Sequence, residues 1–392
     1  MNSAYLLMGC RTPVGKYQGA LSHLTAPELA APTIVEVLRR TGIDVDQVDG
    51  VILGHVLSAG VGQAPSRQAA LMAKLPPTVA AMGVNKVCGS GLKAVMLADQ
   101  AIRAEDSQVI VAGGMESMSR APYLLQGVRQ GWKFGDRQAV DSMLYDGLWC
   151  PFENCAMGDE ADYIAMAHSI SRADQDAFAL ESHRRAVAAQ AAGVFTAEIV
   201  PLSVEAGKGP KLVDRDEGPR ADTSLEALAR LKPGFNSAGS VTAGNSSQLS
   251  DGAAALVVAS EVVARRHASP LRARIVAQAT AGVPPKDVFI APVGAVRDVL
   301  AKAKLKLSDI DLIEMNEAFA SQSLACMRAL EIDPARLNVN GGAIALGHPI
   351  GASGARVLVT LMHALAARKL SRGLAVVCLG GGNAVAMIIE RA

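Results

Sequence analysis

Apolar positions along the chain fall into two patterns that alternate with each other. Residues 4–8, 51–56 and 109–112 are short, mainly apolar runs of strand length. Residues 26–40 instead repeat their apolar positions every three or four residues and stop at Gly42, which is typical of a helix and its C-terminal glycine. Strands that alternate with helices in this order predict a mostly parallel β-sheet covered by layers of helices.

The same rhythm resumes near residue 272 and repeats the first part of the chain. Residues 307–313 resemble 43–52 in pattern, and 375–381 resemble 109–114. Gly89-Ser90-Gly91 and Ala352-Ser353-Gly354 each precede a helical segment. These ordered echoes predict two copies of one βα unit. The helix after Ser353 is apolar on nearly every side, so we expect it to be buried between two sheets.

The middle of the chain has a different character and predicts an inserted region. Turn-forming clusters at 207–210 and 216–220 indicate loops, and a helical stretch over 161–192 is interrupted near Ser171. We therefore expect three units. An N-terminal domain comprises 1–117 together with 249–271, a loop domain spans 118–248, and a C-terminal domain spans 272–392.

Composition narrows the class of protein. The 38 basic and 37 acidic residues nearly cancel, so nothing favours nucleic acid or an anionic membrane as a partner. We expect no membrane span, because no apolar run looks long enough. The six cysteines form no C-x-x-C pair and no zinc-like cluster, which indicates reduced thiols in a cytoplasmic protein without a metal.

Cys88 is the first candidate for chemistry. An apolar stretch leads into it, and two glycines and a helical pattern follow, so the expected order is strand, sharp turn and helix. Amide groups at a helix N-terminus favour an anion, so we expect a lowered thiol pKa and a nucleophilic cysteine. One alternative is an inert buried cysteine. Another is a dinucleotide fingerprint at Gly89, but no acidic residue closes the next strand, as that fold requires.

Three further stretches carry candidate groups. Asn316 and Glu317 follow an apolar strand, although they could simply begin a helix as its cap and first-turn acid. His348 is held between glycine and proline, in a loop before the buried helix, although a lone histidine is usually structural. Cys378 ends a strand and precedes the glycines that begin at Gly380, where backbone N–H groups can approach a substrate.

Together these stretches resemble the thiolase family over nearly the whole chain. The motifs that carry the resemblance are Asn85-Lys86-Val87-Cys88-Gly89-Ser90-Gly91, Gly113-Gly114-Met115-Glu116-Ser117-Met118-Ser119, Asn316-Glu317-Ala318-Phe319, Asn340-Gly341-Gly342-Ala343 with Gly347-His348-Pro349-Ile350-Gly351-Ala352-Ser353-Gly354, and Cys378-Leu379-Gly380-Gly381-Gly382. The resemblance implies an α/β protein with the five-layer αβαβα thiolase fold, built from two duplicated βα halves and an inserted loop domain.

The resemblance also implies catalytic roles. Cys88 would accept the acyl group, and His348 would take its proton and then stabilise a thioester oxygen. Asn316 would hold a water that completes this first oxyanion site. Cys378 would act as general acid and base, and the backbone N–H groups of Cys88 and Gly380 would form a second oxyanion site. Such sites suit a Claisen condensation, which needs an acyl-enzyme and a stabilised enolate.

The implied reaction joins two acetyl-CoA into acetoacetyl-CoA and coenzyme A, reversibly, with coenzyme A as substrate and product and no separate cofactor. The residues expected to bind coenzyme A or the acyl chain are Arg220, Ser247, Met157, Phe235, Leu249, Ala318 and Phe319. Residues 121–149 resemble the tetramer-forming loop of biosynthetic members, so we expect a homotetramer.

Three alternatives stay open. The first is a broader degradative 3-ketoacyl-CoA thiolase, because Ala156 stands where biosynthetic members often have histidine. The second is a ketoacyl synthase of the same fold, which would lack a cysteine at position 378. The third is an acyl-CoA binding protein without catalysis, which would be expected to have lost Cys88, His348 or Cys378.

Overall fold

The computed structural model describes residues 3–206, 209–267 and 269–392. The bounds of its strands are β1 Ala4–Arg11, β2 Gly15–Lys16, β3 Gly50–Gly54, β4 Ala80–Val84, β5 Val109–Ser117, β6 Tyr123–Leu125, β7 Ala139–Asp141, β8 Trp149–Cys150, β9 Cys155–Ala156, β10 Leu202–Ala206, β11 Gly209–Val213, β12 Ser250–Ser260, β13 Ala273–Gly282, β14 Leu312–Met315, β15 Arg372–Leu379 and β16 Asn383–Arg391.

The α-helices are α1 Ala26–Thr41, α2 Pro65–Met72, α3 Ser90–Arg103, α4 Met157–Ala167, α5 Arg172–Ala191, α6 Leu225–Ala229, α7 Glu261–Arg266, α8 Ala291–Ala303, α9 Ala320–Leu330, α10 Ala343–Leu346 and α11 Ile350–Arg368.

Two helix boundaries that the sequence predicts are confirmed. α1 ends at Gly42, which has a φ of 66°, and the break at Ser171 separates α4 from α5 because Ser171 caps α5 by accepting a hydrogen bond from the Asp174 N–H.

The strands of the two halves join into one hydrogen-bonded sheet of ten strands within the described residues, in the order β14-β15-β16-β13-β1-β12-β5-β3-β4, with β2 beside β12. We expected two separate sheets. They are joined because β1 pairs with β13 over two residue pairs, Tyr5 with Arg274 and Leu6 with Ala273. The repeat is visible in the pairing. β3 and β5 are parallel in the first half, as β14 and β15 are in the second.

Helices form three layers around these strands, which is the expected five-layer arrangement. α1 and α2 cover the first half, and α8 covers the second. α3 and α11 pack against each other between them, and α11 contacts β5 and β12 on one side and β14 and β15 on the other. α11 has the length and apolar composition of a membrane span, contrary to our expectation, but 83% of that window is buried, so it is a core helix.

Residues 118–248 lie outside the large sheet and are fastened to it by a buried ion cluster. Arg11 at the end of β1 contacts Glu198 at 2.6 Å and Asp216 at 2.6 Å, and the arginine is fully buried. Removing one partner of such a cluster leaves a buried charge unpaired, which typically costs about 3–5 kcal/mol of stability.

The division of the chain into three units stays a prediction. Of the loop expected at 207–210, residues 207–208 lie outside the described residues, and the rest begins β11.

Glycines allow α3, α11 and the neighbouring strands to approach backbone to backbone. A Cβ on Gly91 would lie 2.8 Å from the Ala355 nitrogen, and one on Gly351 would lie 2.6 Å from the Met115 carbonyl oxygen. A Cβ on Gly354 would collide with the Leu92 backbone nitrogen. Since backbone cannot move aside as a flexible side chain can, this crossing tolerates no side chain. It brings the N-termini of α3 and α11 to the same cleft.

We predict that Gly354→Ala destabilises the protein by about 2 kcal/mol or more, because the new methyl group meets the Leu92 backbone. Alanine alone would favour a helix by about 1 kcal/mol over glycine, so a loss of stability identifies the collision. Chemical denaturation measures the change. Gly50→Ala is the matched control, because its Cβ would be 3.7 Å from the nearest atom. Equal stability of Gly354→Ala and the parent would contradict the close crossing.

Candidate active site

Cys88 lies in a tight turn between β4 and α3, as the sequence predicts. The Asn85 side chain accepts a hydrogen bond from the Val87 N–H at 3.0 Å, and the Ser90 hydroxyl accepts one from the Lys86 N–H at 2.8 Å. Val87 has a φ of 46°, a left-handed conformation that is uncommon for a β-branched residue. These bonds hold the strained turn that carries Cys88.

The electrostatics of the Cys88 thiol differ from our expectation. Backbone N–H groups of Cys88 and Gly380 do point at the sulfur and favour the thiolate. Burial has the larger effect, however, and raises the pKa of Cys88 to about 12, although the residue keeps partial access to the cavity described below. The expected lowering of the pKa is therefore wrong. Desolvation of the anion outweighs two amide dipoles, and among the described residues no neighbouring cation lowers the pKa of this thiol.

His348 precedes α11 and is buried. Its Nδ1 lies 2.6 Å from the Ser353 hydroxyl, which donates its own hydrogen to the Pro349 carbonyl at 2.9 Å. The hydroxyl has a single hydrogen, so we assign the proton of this contact to Nδ1. The Asn316 amide nitrogen lies 3.4 Å from Nε2. Burial and the Arg356 charge lower the pKa of His348 to about 3, so the imidazole is neutral and its Nε2 can accept a proton.

Asn316 and Glu317 follow β14 and do not cap a helix, because α9 begins three residues further on, at Ala320. Asn316 is fully buried, and its Oδ1 has no hydrogen-bond partner among the described residues. An unpartnered buried oxygen beside an imidazole is a suitable position for an ordered water. Glu317 has another function. It accepts hydrogen bonds from Ser182 at 2.7 Å and Asn338 at 2.8 Å, and so fastens this loop.

Cys378 is buried near the end of β15, and Gly380 follows in the turn to β16. Burial raises the pKa of the Cys378 thiol well above its usual range, and the neighbouring Cys88 sulfur raises it further. Both thiols are therefore protonated in the resting protein. The sequence places these two cysteines 290 residues apart, and the fold brings them close enough to influence each other's ionisation.

A cavity of about 610 Å³ opens onto these groups. Cys88, His348, Cys378 and Gly380 line it, whereas Asn316 lies behind His348. The seven residues expected to contact substrate also line this cavity: Arg220, Ser247, Met157, Phe235, Leu249, Ala318 and Phe319. The wall is largely apolar. Phe319 packs edge-on against Phe289 with ring centroids 5.1 Å apart. Such a tunnel suits a long, thin substrate with a polar end.

The outer end of the cavity is more polar. Arg220 is exposed there, and its backbone N–H donates a hydrogen bond to the His183 ring at 3.2 Å. A smaller cavity of about 170 Å³ adjoins it and shares Arg220, Ala243 and Gln248. The Ser247 N–H donates to the Ala318 carbonyl at 2.9 Å, which ties the two lining segments together.

Sequence reasoning missed two residues that orient the catalytic groups. Ser353 was noted only as part of a turn before a helix, but it contacts His348 directly. Glu116 accepts hydrogen bonds from the Val56 N–H at 3.1 Å and the Gly351 N–H at 3.0 Å, and so anchors the N-terminus of α11. A histidine followed five residues later by a serine does not by itself predict a contact between them. The contact becomes predictable only once both residues are known to lie at the first turn of a helix.

Among the described residues no group of three or more histidine, cysteine or acidic side chains could hold a metal ion.

Comparisons with known proteins agree with this geometry. The thiolase N-terminal domain family matches residues 5–262, and the thiolase C-terminal domain family matches residues 269–391. The chain is 53% identical to an acetyl-CoA acetyltransferase of Pseudomonas aeruginosa and 48% identical to one of Cupriavidus necator, over the full length of each pair. It superposes on the crystal structure of the Bacillus anthracis acetyl-CoA acetyltransferase with a TM-score of 0.97, at 41% identity, covering 100% of this chain and 99% of that one.

The two domain matches together span nearly all of the chain, and the full-length relatives share about half of its residues. The chain belongs to the thiolase family of acyltransferases.

Proposed function

We propose that this protein is an acetyl-CoA C-acetyltransferase, which condenses two acetyl-CoA into acetoacetyl-CoA and coenzyme A and also runs the reverse cleavage. The observation that carries the proposal is the meeting of two thiols and a neutral imidazole on one apolar cavity. The names of the full-length relatives support the same substrate. The intact trio Cys88, His348 and Cys378 speaks against a scaffold that only binds acyl-CoA, and Cys378 speaks against a ketoacyl synthase.

In the first half-reaction the Cys88 sulfur attacks the acetyl carbonyl carbon. Its proton passes to Nε2 of His348, which is the ring nitrogen that carries no hydrogen while Nδ1 donates to Ser353. The carbon–sulfur bond to coenzyme A breaks, and Cys378 protonates the departing thiolate. The N–H groups of Cys88 and Gly380, which already point at the reacting sulfur, supply donors for a developing oxyanion.

In the second half-reaction the Cys378 thiolate removes an α-proton from another acetyl-CoA. The enolate carbon attacks the acetyl group on Cys88, and the Cys88 thiolate departs and recovers its proton from His348. The protons therefore balance over one cycle. The imidazolium and a water held at Asn316 Oδ1 would stabilise the enolate oxygen. Raised thiol pKa values favour this cycle, because each buried thiolate is a strong base that exists only while it is needed.

Coenzyme A would occupy the length of the cavity. The pantetheine arm would run between the apolar wall at Phe319 and the segment that carries Ser247, and the nucleotide would lie near Arg220 at the polar end. Coenzyme A is then both substrate and product, and no metal or other cofactor takes part. The free cysteines and the nearly neutral net charge support a cytoplasmic location.

A broader 3-ketoacyl-CoA thiolase is the second candidate, and one observation favours it. Ala156 lines the cavity beside Met157, so a small side chain stands where the acyl chain would extend. The methyl group of Ala156 leaves more room for an acyl chain than a histidine side chain at this position would. The mechanism is the same in both candidates, and only the length of the accepted acyl chain differs.

We predict that the protein cleaves acetoacetyl-CoA in the presence of coenzyme A about tenfold or more faster, in kcat/KM, than 3-ketohexanoyl-CoA. Loss of the absorbance of each 3-ketoacyl thioester measures the rates. Cys88→Ser should form no acyl-enzyme with radioactive acetyl-CoA. Equal or faster cleavage of the longer substrate would move the protein to the broader class. Normal labelling of the Cys88→Ser variant would remove Cys88 from the mechanism.

The raised pKa of Cys88 predicts the pH dependence of its alkylation. Because a thiol below its pKa gains tenfold in thiolate for each pH unit, the rate with iodoacetamide should rise steadily between about pH 7 and pH 10 without a plateau. Mass spectrometry of the tryptic peptide 87–93, which contains only this cysteine, follows the reaction. A plateau above neutral pH would show a lowered pKa and contradict the burial effect.

We predict that Ser353→Ala lowers kcat by about tenfold or more with little change in KM, because His348 loses the contact that keeps its proton on Nδ1. Nitrogen NMR of the imidazole should show the Nδ1–H tautomer in the parent and not in the variant. Thr360→Val is the matched control, since it removes another buried hydroxyl of α11, one that contacts Glu198 at 3.1 Å. Unchanged kcat and tautomer in Ser353→Ala would refute the assignment.

We also propose a homotetramer. The β6–β7 arm within residues 121–149 leaves Tyr123 67% and Leu125 55% exposed, and apolar groups of this size on an arm indicate an interface. Light scattering at micromolar concentration should give the tetramer mass, and Leu125→Asp should give a smaller species. Val262→Asp, at a 57% exposed site on α7, is the control. A dimer mass for the parent would contradict the proposal.

A further inference from the structure

A short hairpin beside the cavity carries two cysteines that the proposed reaction does not use. β8 and β9 pair antiparallel, with Trp149 opposite Ala156 and Cys150 opposite Cys155. Residues directly opposite each other in such a pair have Cα atoms about 4.5–5.5 Å apart. Disulfides form between Cα atoms about 4.4–6.8 Å apart. The backbone therefore already holds these two cysteines at a separation that a disulfide can bridge.

The two thiols differ in access, which gives each a separate part in an exchange reaction. Cys155 is partly exposed at the end of an exposed four-residue turn, whereas Cys150 is buried. Burial raises the pKa of the Cys155 thiol to about 11, and the Cys150 sulfur raises it as well, while burial also raises the pKa of Cys150. Neither thiol is therefore ionised at neutral pH without help.

A buried carboxyl group lies beside them. Glu160, on the first turn of α4, is buried, and neither of its carboxyl oxygens has a well-aligned hydrogen-bond partner among the described residues. Its strongest interaction with another side chain is with the Cys150 thiol. Burial raises the pKa of Glu160, which makes the carboxylate a better proton acceptor than an exposed one. Two paired thiols and an internal base thus form one cluster.

We propose that Cys150 and Cys155 are a dithiol site that small-molecule disulfides oxidise reversibly, with Glu160 as the base. The Cys155 sulfur attacks the external disulfide and breaks its sulfur–sulfur bond, and the Cys155 proton passes to the departing sulfur, which leaves as the first thiol. Cys150 gives its proton to Glu160 and attacks the Cys155 sulfur, and the second departing sulfur takes that proton from Glu160 and leaves as the second thiol. One disulfide is reduced, one forms between Cys150 and Cys155, and the two thiol protons end on the two released thiols.

The site is distinct from the catalytic thiols but shares a wall with them. β9 ends at Ala156, and Ala156 and Met157 line the large cavity. A disulfide would therefore stiffen the hairpin that forms this wall. Oxidation of this site can be tested independently of the proposed function, because peptide masses report the state of the two cysteines without an activity assay.

The test uses the full-length protein in buffers with a rising ratio of oxidised to reduced glutathione, acid quenching, alkylation and tryptic mapping. Residues 138–172 form one tryptic peptide that contains Cys150, Cys155 and no other cysteine. We expect this peptide to lose the mass of two hydrogen atoms, to resist alkylation, and to recover in reduced glutathione. Cys88 and Cys378 appear in separate peptides, 87–93 and 373–391, so the catalytic thiols cannot be mistaken for this pair.

Cys150→Ser and Cys155→Ser should each abolish the lighter peptide, and Glu160→Gln should slow its formation about tenfold or more without changing the final fraction. Cys10→Ser, which removes a buried cysteine on β1 instead, is the matched control and should oxidise like the parent. Double alkylation of 138–172 at every ratio would overturn the proposal. A stable glutathione adduct on Cys155 that never converts to the Cys150–Cys155 disulfide would overturn the pairing. An equal rate of oxidation in Glu160→Gln and the parent would overturn the assignment of Glu160 as the base.

Discussion

The structure depends on one close backbone approach, the crossing of α3 and α11 in the middle layer. Gly91 and Gly354 lie where each helix meets backbone of the other, and Gly351 lies against the Met115 carbonyl. Without side chains at these points the two helix starts reach the same cleft. Cys88 precedes one helix and His348 precedes the other, so the duplicated βα unit supplies one catalytic group from each copy. Cys378 lies on β15, the strand of the second half that resembles β5, but β5 carries no cysteine, so this group belongs to one half alone.

Desolvation determines the chemistry that this cleft can perform. Charges on Cys88, Cys378 and His348 are all disfavoured, since burial raises both thiol pKa values and lowers that of the imidazole. The resting site is therefore neutral, and each proton moves only when a bond to carbon forms or breaks. One charge lies further back. Arg356 is buried with its guanidinium 3.9 Å from the Glu314 carboxyl group, and burial raises the pKa of Glu314 to about 8, so this carboxyl group is mostly neutral at pH 7. The Arg356 charge thus lowers the pKa of His348 without lining the cavity.

The sequence alone predicted much of the fold because its signals are local. The break at Ser171 is readable from a serine and the acidic residue three positions later, and the end of α1 from Gly42. The motifs around Cys88 and His348 also lie within short stretches. The pairing of β1 with β13 was not predictable, since two residue pairs far apart in sequence create it.

The prediction of a lowered pKa for Cys88 was wrong for the same reason. A helix start is visible in the sequence, but the burial that outweighs it depends on the whole cleft, including residues near 380. Asn316 resembles a helix cap locally, yet the fold starts α9 later and turns this side chain toward His348. The contact between His348 and Ser353 becomes meaningful only when both are seen at one helix start.

The two thiols have separate functions in this mechanism, Cys88 as nucleophile and Cys378 as acid and base, and acetyl transfer to a Cys378→Ser variant distinguishes them. Acetyl-CoA should still add an acetyl group to the peptide 87–93 in this variant, while formation of acetoacetyl-CoA falls by about a hundredfold or more, because the base for the α-proton is missing. Condensation at the parent rate, or an acetyl group found on Cys378 of the parent instead of Cys88, would contradict the account.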